Sequence, residues 1–361
     1  MIRILHLLDH PSDFESARGA DSLGRALGDG FVVTTRTIGF GGDWRNVATA
    51  AAMLRRERDA FDVVHAWSGA GLAVAALGAR TPIIFSPPPD LRPRQLRWLR
   101  AVMAHRRVEN VCATSTLRRM LVRRGVPIER CHLIRPGVEF SRVKRRRDPE
   151  LRASLGFNDA DHVFLAAGES TRAAAHEQGS WAIGILNVAD ARHKLLTWGR
   201  GPLTDKVQRL AMNTNPRMLS VAQKQLHRSV EFEELLPAAD AVLVTATGPV
   251  ATLPIAICMA AALPIVSTVT ATVAELLEDR HTALMAAQSP RAIARRAMDF
   301  MEDPSLQWTL CDMARTEAYE YFAFTRFVNQ FRAIYRQAVD GDRVEVPQPG
   351  PGAGLRFHGR T

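Results

Sequence analysis

The sequence predicts an α/β protein made of two successive doubly wound units, each a parallel sheet covered by helices. Three observations predict it. The chain has 361 residues, too many for one ordinary domain and enough for two separate cores. Short β-rich apolar runs alternate with stretches of helical length, the pattern of a parallel sheet with crossover helices. The alternation halts at the charged segment RVKRRRDPE, residues 142–150, and then begins again. An apolar fraction of 47% with 23% charged residues is that of a soluble globular chain, not a disordered or fibrous one.

In the first half, strands are expected over residues 2–8, 31–38, 62–67, 82–86, 108–114 and 132–134, with helices over 15–27, 46–57, 71–77, 93–106 and 116–124. In the second half, strands are expected over 162–166, 194–197, 218–221, 241–245 and 264–267. Helices follow over 290–301 and 303–339, the latter broken near Phe322. The expected organisation is a first domain over 1–145, a basic linker over 146–160, a second domain over 161–340 whose last helix crosses back, and a disordered tail over 341–361 rich in Gly and Pro. A cleft between two such units is the default ligand site.

The N-terminus MIRILHLLDH lacks a cleavage site and reads as a first strand. The apolar stretch 250–269 contains Pro254 and Pro264 and reads as a buried helix and strand, not a membrane span. The four cysteines, Cys112, Cys131, Cys258 and Cys311, have no metal-ligand spacing and suit a reducing compartment, so a cytoplasmic protein is expected. The net charge of +10 is concentrated: residues 91–147 hold 17 Lys and Arg against three Glu. That asymmetry fits an anionic partner, such as the inner face of a membrane, and equally fits a solvated arginine-rich face. Within it Leu96, Leu99, Val102 and Met103 recur at helical spacing. They could meet lipid, or could cover the sheet. Nucleic acid is disfavoured, because only Trp98 and Phe140 offer stacking surfaces in that segment.

Several segments, in order, resemble family 4 glycosyltransferases. They are ATSTLRRMLVRRGVPIERCHLIRPGVEF (113–140), FLAAGES (164–170), LLTWGRGP (195–202), LPAADAVLV (236–244), MAAALPIVST (259–268), AELLEDRHTALM (274–285) and FAFTRFVNQFRAIY (322–335). The resemblance runs over nearly the whole chain. It implies a GT-B fold of two Rossmann-like domains facing across a cleft. It also implies transfer of a sugar from a nucleotide-diphosphate sugar, bound by the second domain, to an acceptor on the first, with retention and without a metal or other cofactor. Donor-side positions would be Gly168, Arg172, Gly199, Arg200, Gly201 and Glu275, and the acceptor-side loop would hold His10, Gly19 and His65.

The resemblance fails where the chemistry should be. The family's donor motif is a Glu, seven residues, and a second Glu, which contact sugar and ribose hydroxyls around a helix N-terminus facing the diphosphate. Here Pro249 and Ile257 occupy the two Glu positions. Glu169 stands where the family has a diphosphate-binding Arg, Gln178 where it has Lys, and Pro88 where it often has His. Arg172, Arg200 and Lys206 lie close enough in sequence to supply replacement cations. The glycines also serve tight turns, and Glu275 also suits a helix first turn. Two readings follow: a glycosyltransferase with an altered donor site acting on a glycan or envelope acceptor, or a non-catalytic descendant that binds a glycan, membrane or protein.

Overall fold

The structure, a computed structural model, describes residues 1–9, 13–39, 41–144 and 146–341. His10 and the expected tail beyond Gly341 lie outside the described residues. The chain divides into two compact units: unit 1 is Met1–Gly137 together with the chain from Thr325, and unit 2 is Val138–Phe324.

Unit 1 holds strands β1 (Ile2–Asp9), β2 (Phe31–Ile38), β3 (Val63–Ala66), β4 (Ile83–Phe85), β5 (Val108–Cys112) and β6 (Cys131–Leu133). They form one six-stranded parallel sheet in the order β2-β1-β3-β4-β5-β6. The crossovers are α1 (Phe14–Ala26), α2 (Trp44–Arg56), α3 (Gly69–Gly78), α4 (Pro93–His105) and α5 (Ser115–Arg123). Inner strands are buried on both faces, which is why they read as unbroken apolar runs. Helix α3, GAGLAVAALG, is apolar all round because it packs between the sheet and α2. A Cβ at Gly78 would lie 2.8 Å from the Ala51 carbonyl oxygen. Starts are fixed by caps: Asp13 accepts from the Ser16 N–H at 2.9 Å, Ser68 from Gly71 at 3.0 Å and Thr114 from Leu117 at 3.1 Å.

The apolar stripe of α4 faces inward. Leu96, Leu99 and Val102 are buried in the unit 1 core with Met103 packed against it, so the face proposed for lipid is the one covering the sheet. The cations lie on the other side.

Unit 2 opens with α6 (Pro149–Ser154) and continues β7 (His162–Ala166), α7 (His176–Ala189), β8 (His193–Thr197), α8 (Thr204–Thr214), β9 (Leu219–Val221), α9 (Ala222–Leu226), β10 (Ala241–Val244), α10 (Leu253–Ala260), β11 (Ile265–Thr268), β12 (Leu284–Ala286), α11 (Pro290–Glu302) and α12 (Pro304–Tyr321). Its parallel sheet runs β12-β11-β10-β7-β8-β9. Strand β12 is an addition to the expected set; its three residues are too few to show a period. The stretch 146–160, expected as a basic linker, belongs to this unit. Arg152 on α6 is fully buried, because its guanidinium donates to the carbonyls of Ala238 (2.8 Å), Asn158 (3.3 Å) and Asp161 (2.6 Å) and to Asp240 Oδ2 (3.0 Å).

After a break at Phe322, α13 (Phe324–Asp340) belongs from Thr325 onward to unit 1. It buries Phe327, Phe331, Ile334 and Tyr335, and Arg332 donates to the Ala26 and Leu27 carbonyls at 3.0 Å. Among the described residues no helix is long and apolar enough to cross a membrane.

Candidate functional site

In unit 1 the chain leaves β1 toward β2 on one side and reaches β3 on the other, so the carboxyl ends of β1 and β3 border a topological switch point, where open α/β sheets bind ligands. A pocket of about 660 Å³ opens there. Its polar lining includes Asp9 at the end of β1, Asp13 and Ser16 at the start of α1, Asp90 in the β4–α4 loop, and Arg92, Arg94 and Gln95 at the start of α4. Trp44, Trp67 and Trp98 supply aromatic walls. Trp67 is 6% exposed, whereas Trp98 is 41% exposed. Flat indole faces can stack on apolar sugar faces, and carboxylates in the same lining can accept hydroxyl hydrogen bonds. Burial pushes the Asp13 carboxyl up from its usual range and Asp90 adds to this, opposed by hydrogen bonds from Ser16.

Trp67 is held from beneath. The Ser16 hydroxyl donates to its carbonyl at 3.2 Å, and the His65 ring stacks on its indole at 4.1 Å between centroids. Gly19, expected in an acceptor-side loop, lies in helix α1 instead, where its missing side chain admits the indole: a Cβ there would sit 2.8 Å from the ring. His65 likewise is not on a loop. It is fully buried on β3, with Nδ1 2.7 Å from the Tyr335 hydroxyl and Nε2 2.9 Å from Ser86 Oγ. His6, one strand over, places Nε2 3.0 Å from the same Tyr335 hydroxyl. Burial lowers His6 to about 3, and burial with the neighbouring His6 holds His65 well below the ordinary histidine value, so both rings are neutral. Pro88 lines the pocket. Sequence reasoning passed over Trp44, Trp67, Asp13, Asp90 and His6; three of the six tryptophans fall within the first hundred residues, a signal that could have been used.

In unit 2 the corresponding switch point lies between β7 and β10; Gly168, Gly199, Gly201 and Pro249 lie in loops after β7, β8 and β10, whereas Gln178 and Ile257 lie in α7 and α10. Gly168, Gly199 and Gly201 all have positive φ, at 77°, 82° and 104°. Gly201 is pressed on the Ser170 backbone, where a Cβ would lie 2.6 Å from the Ser170 nitrogen, and the Ser170 N–H donates to the Arg200 carbonyl at 2.8 Å. These glycines close loop on loop. Glu169 carries its own counterion, Arg200 Nε at 3.6 Å, and Arg200 also stacks over Trp198 at 4.8 Å. Lys206 lies 3.7 Å from Glu177. Of the replacement cations, only Arg172 is exposed and makes no ion pair among the described residues. Gln178, near the start of α7, has a buried Oε1 with no hydrogen-bond partner among the described residues. The Ser170 hydroxyl shares a 3.0 Å hydrogen bond with His176 Nδ1, but Ser170 and His176 are each 2% exposed and burial lowers His176 to about 4. Pro249 is exposed in the loop after β10, whereas Ile257 is 2% exposed inside α10. Glu275 ends a short 3-10 turn and is half-buried. By the resemblance Pro249 and Ile257 are the positions of the family's Glu pair, and neither side chain is a carboxylate. Among the described residues no group of three or more His, Cys, Asp or Glu is placed to hold a metal.

Two parallel six-stranded units of this topology define a GT-B glycosyltransferase fold. Residues 9–142 match the family described as Glycosyltransferase Family 4, and residues 164–303 match Glycosyl transferases group 1. The chain belongs to these family 4, group 1 glycosyltransferases. No curated protein sequence matches it. Among solved structures it is similar to HepE of Anabaena in complex with UDP-glucose, at 14% identity, covering 94% of this chain and 100% of that one with a TM-score of 0.75. It is also similar to sucrose-phosphate synthase of Thermosynechococcus elongatus, at 14% identity over 95% and 100% with a TM-score of 0.77. WaaG, a glycosyltransferase of lipopolysaccharide biosynthesis, aligns at 14% identity over 92% and 99% with a TM-score of 0.70.

Proposed function

We propose that this protein is a glycosyltransferase whose acceptor side is built and whose donor side is altered. It would transfer a sugar from a nucleotide-diphosphate sugar to a glycan or cell-envelope acceptor, with retention of configuration and without a metal. The carrying observation is the unit 1 pocket, whose lining combines Trp44, Trp67 and Trp98 with Asp9, Asp13 and Asp90, the side-chain types that suit a saccharide. Family membership supports the reaction class, and the HepE structures containing UDP, glucose and UDP-glucose support the donor class.

One observation favours a second reading, a non-catalytic saccharide-binding protein: Pro249 and Ile257 offer no hydrogen-bond acceptor for sugar or ribose hydroxyls, and Glu169 places an anion where a diphosphate would need a cation. Calorimetric titration with UDP, UDP-glucose and a glycan panel, followed by a transfer assay, separates the two. Product with retained anomeric configuration supports transfer. Glycan binding that weakens in Trp67→Ala, with no nucleotide binding and no turnover, supports the second reading. Absence of any saccharide binding overturns both.

A further inference from the structure

Unit 2 carries a pocket of about 380 Å³ at the end of its sheet opposite to the loops that hold Gly168, Gly199 and Gly201. Asp240 and Pro264, which immediately precede β10 and β11, line it together with Gln307, Trp308, Asp312 and Arg315 of α12. Burial of Leu310, Ala314 and Ala318 leaves Trp308, Asp312 and Arg315, spaced i, i+4 and i+7, on a separate stripe of that helix. The Trp308 indole is 72% exposed. Asp312 is exposed and makes no ion pair among the described residues.

Arg315 is held in place by the fold. Its Nη2 donates to the Tyr319 hydroxyl at 3.2 Å, and its guanidinium lies over the Tyr319 ring at 5.3 Å. That ring in turn stacks on Phe140 at 3.9 Å between centroids. The Nε of Arg315 is buried with no hydrogen-bond partner among the described residues, although buried polar groups ordinarily find one. Gln307 donates its Nε2 to the Phe300 carbonyl, which leaves its Oε1 to accept. Charge then narrows the ligand. Asp240 is offset within the fold by Arg152 at 3.0 Å and Arg147 at 3.6 Å. One anion, Asp312, and one cation, Arg315, remain, so the lining favours neither a phosphate nor an ammonium group. An open indole face beside acceptors and a fixed donor suits a neutral ring that carries hydroxyls.

We propose that this pocket is a second saccharide site. A neutral sugar unit stacks on Trp308, its hydroxyls donate to Asp312 and to Gln307 Oε1, and one of its oxygens accepts from Arg315 Nε. A glycan held here is retained independently of the unit 1 pocket.

The test is affinity electrophoresis of the full chain through gels containing dextran, glucomannan or xyloglucan, with sedimentation velocity as a check on self-association. Trp308→Ala and Asp312→Ala alter exposed side chains, and each should weaken retardation by at least one of these polysaccharides roughly tenfold. Because the ligand is neutral, retardation should change less than about twofold between about 50 and 500 mM salt. Trp67→Ala should keep the part of the retardation that Trp308→Ala loses. No retardation in any gel, or retardation that both α12 variants leave unchanged, overturns the proposal. So does a Trp308→Ala variant that alters the oligomeric state instead, since the indole would then be covered by a second copy of the chain. If Trp67→Ala migrates as the unmodified protein does while Trp308→Ala is no longer retarded, the second site stands and the saccharide reading of the unit 1 pocket falls.

Discussion

Replacing Tyr335 with Phe removes a single oxygen from the deepest polar cluster of unit 1. That oxygen is shared by His65 Nδ1 at 2.7 Å and His6 Nε2 at 3.0 Å, and all three residues are fully buried. Phe fills the same ring volume, so no cavity forms; the cost is that of leaving two imidazole nitrogens without partners. Each such loss costs about 1–3 kcal/mol, giving about 2–6 kcal/mol for the pair. Because His65 stacks on Trp67, the change should also appear in the pocket as a shift in tryptophan fluorescence and weaker saccharide binding. Urea denaturation monitored by that fluorescence measures the stability term. A destabilisation below about 0.5 kcal/mol with an unchanged spectrum would refute the claim that the hydroxyl holds the cluster together.

The same cluster predicts an acid-labile unit 1. His6, lowered to about 3, and His65 stay neutral when folded but take up protons when unfolded, so stability is flat above about pH 7 and falls as pH drops below 6. His6→Gln should flatten the dependence by about 1.4 kcal/mol per pH unit, read from urea midpoints at pH 4.5–7.5; an unchanged slope would be inconsistent with a neutral buried His6. Gly19→Ala pushes a methyl group into the Trp67 ring and should cost about 1–3 kcal/mol together with saccharide affinity, whereas a mere turn glycine would cost neither. Glu169→Arg removes an anion beside Arg200 and should raise affinity for UDP by on the order of tenfold or more in calorimetry. No gain would mean that the lost Glu pair, not charge, sets the deficit.

Much of the fold was legible because buried parallel strands carry their signal locally: β2 and β7 fall on the expected residues to the end. What was not legible depends on distant partners. Arg152 reads as a solvated linker charge until the carbonyls of Asn158, Asp161 and Ala238 close around it. Gly19 reads as a turn residue, because the indole that requires it lies 48 positions later in the chain. His65 reads as an acceptor-side candidate at a strand end because its hydroxyl partner, Tyr335, comes from the far end of the sequence. The motif departures at Pro249, Ile257, Glu169 and Gln178 are read from order and spacing alone. The counterion that Glu169 finds in Arg200 is not.

The return of α13 to unit 1 has a consequence for how the chain comes off the ribosome. Unit 2 is continuous over Val138–Phe324 and has its full complement of residues before α13 is made. Unit 1 does not: its first 137 residues wait, with His6 and His65 lacking their hydroxyl partner and the site for Phe331 and Ile334 open, until the last helix emerges. Unit 1, with its six strands made but its last helix missing, is thus the stretch most exposed to aggregation and to chaperones during synthesis. A premature stop near Phe322 would release a finished unit 2 tethered to an unfinished unit 1.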